Sequence, residues 1–175
     1  MTPRLRPAIA ADLSQVAAIY AHHVQTGLAS FEEIAPDLAE MTRRHAELVG
    51  NGFPYLVADL DGVIGGYAYA GPYRARSAYR YAVEDSVYIA AGRHGLGLGK
   101  LLLHGVIDAA TAMGKRQMIA VIGDSANHAS ISLHRSCGFA MIGNLPAIGF
   151  KFGRWVDSVF MQRALGPGET TPPDR

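Results

Sequence analysis

The chain has 175 residues, of which 49% are hydrophobic and 18% are charged, and its formal net charge at pH 7 is +1. This length suits one domain with a sizeable core, and the balanced charge argues against nucleic acid as the main partner. A single cysteine, Cys137, excludes an internal disulfide, and no apolar stretch reaches the length that spans a membrane. We therefore expect a soluble, cytoplasmic domain with neither a nucleic-acid nor a membrane partner.

Hydrophobic periodicity and turn residues predict the element order β-α-α-β-β-β-α-β-α-β-β. The predicted strands cover residues 4–9, 55–60, 63–70, 83–89, 117–122, 139–144 and 155–162. The predicted helices cover residues 12–26, 36–49, 98–113 and 129–136. Asp61-Gly62 is a strong hairpin turn, and Gly65-Gly66 suggests a bulge in the strand after it.

This alternation predicts an α/β fold with a mixed central sheet of about seven strands and about four flanking helices. The strands at 83–89 and 117–122 are joined by a predicted helix, so they should form a parallel pair with a right-handed connection.

A glycine-rich turn, residues 94–100, joins the central predicted strand to the helix that follows it. Gly95, Gly97 and Gly99 stand at alternate positions, where the backbone can approach a ligand and direct its N–H groups inward. With the positive end of the helix behind them, these amides predict a phosphate site. The spacing does not fit the dinucleotide-binding loop, because Lys100 stands where a third glycine is needed. It does not fit the Walker loop either, because no Ser or Thr follows Lys100.

Two segments carry a resemblance to a known superfamily. The turn fits the spacing [Gln/Arg]-x-x-Gly-x-[Gly/Ala], with His94 in the first place and Gly97 and Gly99 in the others. It resembles the acetyl-CoA pyrophosphate loop of the GNAT N-acetyltransferases, from which His94 departs. Further on, Asn127-x-x-Ser130-x-x-Leu133-His134-x-x-x-Gly138-Phe139 resembles the superfamily signature Asn-x-x-Ala-x-x-Leu-Tyr-x-x-x-Gly-Phe.

A narrower resemblance is to the phosphinothricin N-acetyltransferase family, which includes the methionine sulfoximine and methionine sulfone acetyltransferases. It rests on residues 70–79 running into 83–88, on 120–123 and on 149–157. The resemblance implies a GNAT domain over residues 1–165 whose parallel pair is splayed, and we expect residues 166–175 to be a disordered tail. It also implies acetyl-CoA as donor, a small L-amino-acid analogue as acceptor, direct transfer in a ternary complex, and a homodimer.

The same resemblance implies where acetyl-CoA binds. The turn amides would hold the pyrophosphate, and backbone groups of the central strand would pair with the pantetheine arm as if it were another strand. The implied contact residues are Val87, Tyr88, Ile89, His94, Gly95, Leu96, Gly97, Leu98, Gly99, Lys100, Asn127 and Ser130. The alternative for the turn alone is an ordinary glycine-rich helix start. No metal is expected, because no His, Cys and Asp cluster has metal-ligand spacing.

Glu84 is the candidate general base. A peptide α-amine has a pKa near ~8 and is mostly protonated at neutral pH, so a group must take its proton before it attacks. On a strand, Glu84, Ser86 and Tyr88 share one face while Asp85 points to the other. The family match selects Glu84, and the alternative is a solvated carboxylate at a strand end.

Two residues are candidates for protonating the leaving thiolate. His134 stands where much of the superfamily has a tyrosine that can do so, and histidine can act as an acid. A histidine on an otherwise apolar helix is also commonly structural. Tyr88 either lines the pocket, donates to the reacting centre, or is an ordinary strand aromatic.

Four residues are candidates for binding the acceptor, and Glu84, the candidate base, is one of them. Arg74 and Arg76 suit its carboxylate or its phosphinate or sulfoximine oxygens, and the alternative is a solvated loop. Phe31 takes the position of a family pocket aromatic, or else belongs to the core. Because the superfamily transfers the acetyl group directly, Cys137 is interpreted as a packing residue.

Two other functions stay open. One is a GNAT enzyme for a peptide N-terminus, a polyamine or an aminoglycoside, although the arginines before Glu84 argue against polycations. The other is a non-catalytic acyl-CoA-binding module, which would keep the glycine-rich turn and could dispense with Glu84.

Overall fold

The computed structural model describes residues 2–173. Its strands are β1 (Arg4–Pro7), β2 (Tyr55–Leu60), β3 (Val63–Pro72), β4 (Ala82–Ile89), β5 (Gln117–Gly123), β6 (Ala140–Lys151) and β7 (Arg154–Ala164). Its α-helices are α1 (Leu13–Thr26), α2 (Leu38–Gly50), α3 (Leu98–Ala112) and α4 (His128–Ser136). Within the described range the strands form one seven-stranded sheet in the order β1-β2-β3-β4-β5-β7-β6. The predicted element order is confirmed.

Helices cover both faces of the sheet. On one face α3 packs over a core that includes Val83, Leu102 and Met118. On the other face α1 and α2 pack over a second core that includes Val16 and Tyr67. Because side chains alternate along a strand, β4 sends Val83 to the α3 side and Tyr88 to the α1 side.

The central pair of strands separates part of the way along its length. β4 and β5 are parallel, and their residues pair from Ala82 with Gln117 to Asp85 with Ala120. β4 then continues to Ile89 and β5 to Gly123 without further pairing. This separation confirms the expected splay of the parallel pair, and it opens a wedge in the middle of the sheet.

A bulge lies where the paired glycines predicted one. Along β2 and β3, Ala58 pairs with Gly66 and Asp59 pairs with Ile64, so Gly65 is the extra residue. Its main chain lies under α3, because a Cβ at Gly65 would come within 2.7 Å of Leu98 Cδ1. The strand beside β4 is therefore bent at the level of the wedge.

The predicted boundaries were wrong for β6. The strand was expected to end at Asn144, but it runs to Lys151, and residues 149–153 form its last paired positions and a tight turn instead of a connection. Register irregularities at Met141/Gly143 and Leu145/Gly149 break the alternation on which the prediction depended.

The C-terminal segment was expected to be disordered, and that expectation stays a prediction. Residues 174 and 175 lie outside the described range. Residues 166–169 form a turn and residues 170–171 a bend, and the Arg116 guanidinium donates to the carbonyl oxygens of Gly168 and Pro172.

Candidate active site

A groove of about 520 Å³ opens where β4 and β5 separate. Its walls come from the end of β4, the glycine-rich turn, the start of α4 and the end of α1 with the loop that follows. The predicted donor contacts that line it are Val87, Tyr88, Ile89, His94, Gly95, Gly99, Asn127 and Ser130. The remaining predicted contacts, Leu96, Gly97, Leu98 and Lys100, do not line it. Leu98 is instead part of the buried core.

The glycine-rich turn has the backbone geometry of an anion site. Gly95 and Gly97 have φ of 80° and 75°, a region that favours glycine, and Gly97 is the N-cap of α3. The first N–H groups of a helix have no partner within it, and they lie at its positive end. Gly99 has a different role, because a Cβ there would come within 3.1 Å of Leu133 Cδ2 on α4. Two glycines shape the turn, and the third lets α4 pack against α3.

Behind the groove, a smaller cavity of about 50 Å³ lies between the separated strands. Asp85 and His134 border it and are only 5% and 4% exposed. His134 Nε2 lies 3.0 Å from Asp85 Oδ2, and Nδ1 lies 2.8 Å from the Ser130 carbonyl oxygen. Because both ring nitrogens face acceptors, the contacts are best satisfied by an imidazolium, which has two N–H donors.

The charge state of His134 follows from competing effects. Burial by itself would lower the pKa of the imidazole, but the hydrogen bond and charge of Asp85, with the Ser130 carbonyl, outweigh it and raise the pKa above its usual value. The other Asp85 oxygen, Oδ1, is buried and has no hydrogen-bond partner among the described residues. The cavity is therefore bordered by a buried, hydrogen-bonded Asp85–His134 pair with one free acceptor oxygen.

Glu84 points to the opposite face of β4 from Asp85, as strand alternation predicted. It lies where β4 is still paired, opposite Ile119 on β5 and Gly71 on β3, and it does not line the groove. Burial, followed by the neighbouring Asp85 carboxylate, raises the pKa of the Glu84 carboxyl, and Arg74 opposes that rise. A carboxylate with a raised pKa is a stronger base, as proton acceptance requires.

The acceptor-side candidates lie on two loops. Arg74 lies close enough to influence Glu84, and its guanidinium stacks 4.8 Å from the Tyr73 ring centroid. Arg76 is exposed at the start of the short 3-10 helix at Ser77–Tyr79. Phe31 is 42% exposed on the loop between α1 and α2, so it is not a core residue. The structure thus places Arg74, but not Arg76, where its charge acts on Glu84.

Tyr88 borders both the groove and the inner cavity. Its ring packs edge-on to Tyr20 with 5.0 Å between centroids, and it stacks on Tyr67 at 5.3 Å. Burial raises the pKa of its phenol well above the usual value. Tyr88 is therefore neutral across the physiological range and can donate a hydrogen bond.

Sequence reasoning missed two features of this site. It placed Asp85 on the far face of β4 but gave it no partner, because no short-range pattern joins residues 49 positions apart. It also assigned no role to Lys151, which served only as part of the segment 149–157 that carries the family resemblance. Lysine at a strand end predicts exposure, yet Lys151 is 2% exposed.

Among residues 2–173, no cluster of three or more His, Cys, Asp or Glu side chains could hold a metal ion. In the same range, none of the helices is long and apolar enough to span a membrane.

The groove and turn suit an extended ligand that carries phosphate. The turn supplies N–H donors, and the unpaired edge of β4 supplies main-chain groups along the groove.

Comparisons with known proteins agree with this geometry. Residues 17–139 match the model of the acetyltransferase (GNAT) family. The chain is 55% identical to a phosphinothricin N-acetyltransferase of Alcaligenes faecalis, over 93% of the chain and 83% of that protein. It is 41% identical to an L-methionine sulfoximine/L-methionine sulfone acetyltransferase of Pseudomonas aeruginosa, over 98% and 100%.

Solved structures are similarly close. A phosphinothricin acetyltransferase from Sinorhizobium meliloti in complex with AcCoA has a TM-score of 0.96 and 49% identity, covering 100% of this chain and 95% of that one. A ribosomal-protein-alanine N-acetyltransferase from Brucella melitensis has a TM-score of 0.90 and 41% identity, covering 93% and 99%.

The chain therefore belongs to the GNAT acetyltransferase family, and the predicted GNAT fold is confirmed. It is an N-acetyltransferase that uses acetyl-CoA as co-substrate. The narrower resemblance is confirmed as well: within the family, the chain groups with the phosphinothricin and the methionine sulfoximine/sulfone acetyltransferases.

Proposed function

We propose that the enzyme transfers an acetyl group directly from acetyl-CoA to the α-amine of a small L-amino-acid analogue of the phosphinothricin, methionine sulfoximine or methionine sulfone type. The observation that carries the proposal is the position of the wedge. β4 and β5 part immediately after Glu84 and Asp85, so the groove for the donor begins at Val87, three residues along β4 from a carboxyl with a raised pKa on Glu84. Donor and acceptor then meet in one ternary complex.

The donor is held by the groove. The turn amides around Gly95 and Gly97 bind the pyrophosphate, and the unpaired edge of β4 at Val87–Ile89 bonds the pantetheine arm. Asn127 and Ser130 at the start of α4 form the opposite wall. Acetyl-CoA supplies the acetyl group as a thioester, which makes the carbonyl carbon open to attack by an amine.

The acceptor is held on the other face of β4. Glu84 accepts the ammonium proton, directly or through water, and so frees the amine for attack. Arg74, with Arg76 further along the same loop, binds the acceptor's carboxylate or its phosphinate or sulfoximine oxygens. Phe31 forms a wall of the pocket. The positive charge of Arg74 also keeps Glu84 from becoming too strongly protonated.

The leaving thiolate takes its proton from His134. A thiol has an ordinary pKa near ~8.5, which an imidazolium with a raised pKa matches better than a phenol far above ~10. Both nitrogens of His134 already have partners, but the Ser130 hydroxyl lies 3.4 Å from Nδ1 and Ser130 lines the groove. The proton passes through that hydroxyl, and Tyr88 contributes a neutral hydrogen-bond donor.

The enzyme acts as a cytoplasmic homodimer, with neither nucleic acid nor a membrane as partner. The balanced net charge supports the absence of a nucleic-acid partner. Contiguous exposed apolar side chains mark interaction surfaces. Such a surface lies on the β6–β7 hairpin, where the side chains more than half exposed are Ile142, Ile148, Phe150, Phe152 and Trp155. The catalytic domain comprises residues 1–165.

The test is CoA release from acetyl-CoA, measured by thiol detection, across a panel of amines. The panel contains phosphinothricin, L-methionine sulfoximine, L-methionine sulfone, common L-amino acids, an N-terminal peptide, spermidine and an aminoglycoside. We expect saturable turnover confined to the tetrahedral phosphorus and sulfur analogues. Turnover only on the peptide or polyamine would contradict this acceptor class and the proposed role of Arg74 in binding the acceptor's anionic group.

One second candidate has a specific observation in its favour. The Brucella structure that carries a ribosomal-protein-alanine name is as similar to this chain as the sulfone acetyltransferases are. A peptide N-terminus is therefore the alternative acceptor, and the same panel decides between them. Tight acetyl-CoA binding without CoA release on any amine would instead indicate a non-catalytic acyl-CoA-binding module.

A further inference from the structure

Lys151, the last residue of β6, is a buried lysine without a carboxylate partner. It is 2% exposed, and it takes part in none of the ion pairs among residues 2–173. Its ammonium donates instead to the carbonyl oxygens of Gly27, at 2.9 Å, and Ser30, at 2.8 Å. Burying an ammonium is costly unless its hydrogen bonds are satisfied, so these two bonds, with the Phe152 ring whose centroid lies 4.9 Å from the ammonium, hold it there.

Both carbonyls belong to the loop between α1 and α2, which we call the acceptor loop and define as residues 27–33. The side of this loop away from β6 is also held. The Tyr20 hydroxyl bonds the Ser30 hydroxyl and the Glu32 carboxylate, and Arg44 on α2 pairs with Glu32 at 2.6 Å. The loop is thus fixed to the helices on one side and to β6, through Lys151, on the other.

The ring of Phe31 rests on a surface that only glycine provides. A Cβ at Gly149, two residues before Lys151, would lie 2.5 Å from Phe31 Cε2. A Cβ at Gly123, the end of β5, would lie 3.0 Å from Phe31 Cε1 and would collide with the Leu28 carbonyl oxygen. The distance of the Phe31 ring from the sheet therefore has two determinants. The main chain at Gly123 and Gly149 limits how closely the ring approaches, and the hydrogen bonds of Lys151 to Gly27 and Ser30 keep the loop from moving away.

We propose that Lys151 is a positioning residue that holds Phe31 against Gly123 and Gly149 and thereby limits the length of the acceptor side chain. The inference rests on the proposed function, because it takes Phe31 as a wall of the acceptor pocket. Without the ammonium, the Gly27 and Ser30 carbonyls lose their common donor. The acceptor loop then lifts away from β6, and the pocket accepts longer side chains.

The main variant is Lys151→Met, which keeps the methylene stem and removes the charge and the donors. The measured quantity is the ratio of kcat/KM for L-methionine sulfone to that for its S-ethyl homologue, which is one methylene longer. A fitted pocket discriminates one methylene by about 10–200-fold. We expect the wild-type ratio to fall about tenfold in Lys151→Met. Hydrogen exchange should also become faster in residues 27–33.

A second variant, Gly149→Ala, moves the ring from the other side and leaves Lys151 in place. The backbone of Gly149 is not in the positive-φ region, so alanine is not strained there and the effect comes from the displaced ring. We expect the same fall in the ratio. This variant also tests the proposal if Lys151→Met does not fold.

Arg116→Met is the matched control, because Arg116 likewise donates to main-chain carbonyls, but in the C-terminal segment. An unchanged ratio in both test variants, or an equal fall in the control, overturns the proposal. If the wild-type enzyme acetylates neither sulfone, the proposed acceptor class fails by itself only when phosphinothricin and L-methionine sulfoximine are not acetylated either. The exchange rates of residues 27–33 then decide the role of Lys151 separately, and unchanged rates in Lys151→Met overturn it.

Discussion

At the residue scale, two neighbouring acids on β4 have opposite environments. Glu84 faces the proposed acceptor side, where burial raises the pKa of its carboxyl. Asp85 faces α4, where it is bonded to His134. One peptide unit therefore separates a group suited to accept a proton from a group that holds a positive charge in place.

Glu84→Gln removes the proton acceptor with little change in shape. We expect kcat to fall by about 10²–10⁴-fold. In the wild type, kcat/KM should rise as pH rises through the Glu84 pKa, which lies above the ordinary 4.5, because only the deprotonated form accepts a proton. Steady-state kinetics across pH checks both effects. Asp108→Asn, on the exposed face of α3, is the control and should leave the profile unchanged, whereas wild-type turnover in the Gln variant would remove the role.

Arg74→Met tests the acceptor's anionic group. The loss of the guanidinium should raise the acceptor KM about tenfold or more, since hydrogen bonds to charged groups contribute about 1.5–3 kcal/mol. Arg74 lowers the Glu84 pKa, so its loss should also move the acidic limb of the pH profile to higher pH. Arg135→Met, an exposed arginine on α4, should change neither quantity. An acidic limb that does not move would contradict the electrostatic influence of Arg74 on Glu84.

At the element scale, the Asp85–His134 pair fastens α4 to the central strand. Because the folded-state pKa of His134 is raised, the pair's contribution to stability is fully present below the ordinary histidine pKa, and it is lost as pH rises through the raised value. Removing one partner of a buried pair costs about 3–5 kcal/mol. We expect Asp85→Asn to lower the free energy of unfolding by about that amount near pH 6, and by less near pH 9.

Urea unfolding of the wild type and of Asp85→Asn at both pH values gives that difference. His128→Asn is the control, because His128 is exposed at the start of the same helix. A destabilisation by Asp85→Asn that is equal at pH 6 and pH 9 would show that the ion pair is not its cause.

Local sequence patterns predicted the helices and strands but not the tertiary contacts between them. Turn glycines and hydrophobic periodicity were sufficient for the turn before α3 and for the parallel pair. The contact of Asp85 with His134 and that of Lys151 with the acceptor loop join residues 49 and up to 124 positions apart, and nothing local to either partner specifies them. The irregular register of β6 has no periodic signal, so its length was underestimated.

At the scale of the whole molecule, the β6–β7 hairpin carries the exposed apolar side chains proposed to form the dimer contact. Trp155 is 65% exposed. We expect Trp155→Glu to shift the enzyme from dimer to monomer at micromolar concentration, because a charge is costly where it would be buried. Sedimentation velocity measures the change. Val63→Glu, an exposed apolar position at the start of β3, should leave the dimer intact, and a monomeric wild type would contradict the proposal.

The short pairing between β4 and β5 also has a mechanical consequence. The sheet has two parts, β1-β2-β3-β4 and β5-β7-β6, and within the described part of the chain they pair only where residues 82–85 meet residues 117–120. In the binding mode proposed above, the pantetheine arm of acetyl-CoA lies in the wedge and contacts both parts of the sheet, so bound co-substrate should stabilise the sheet. By mass action, acetyl-CoA at 100 times its Kd should add about 2.7 kcal/mol to the free energy of unfolding. That increment should rise logarithmically with acetyl-CoA concentration in thermal melts.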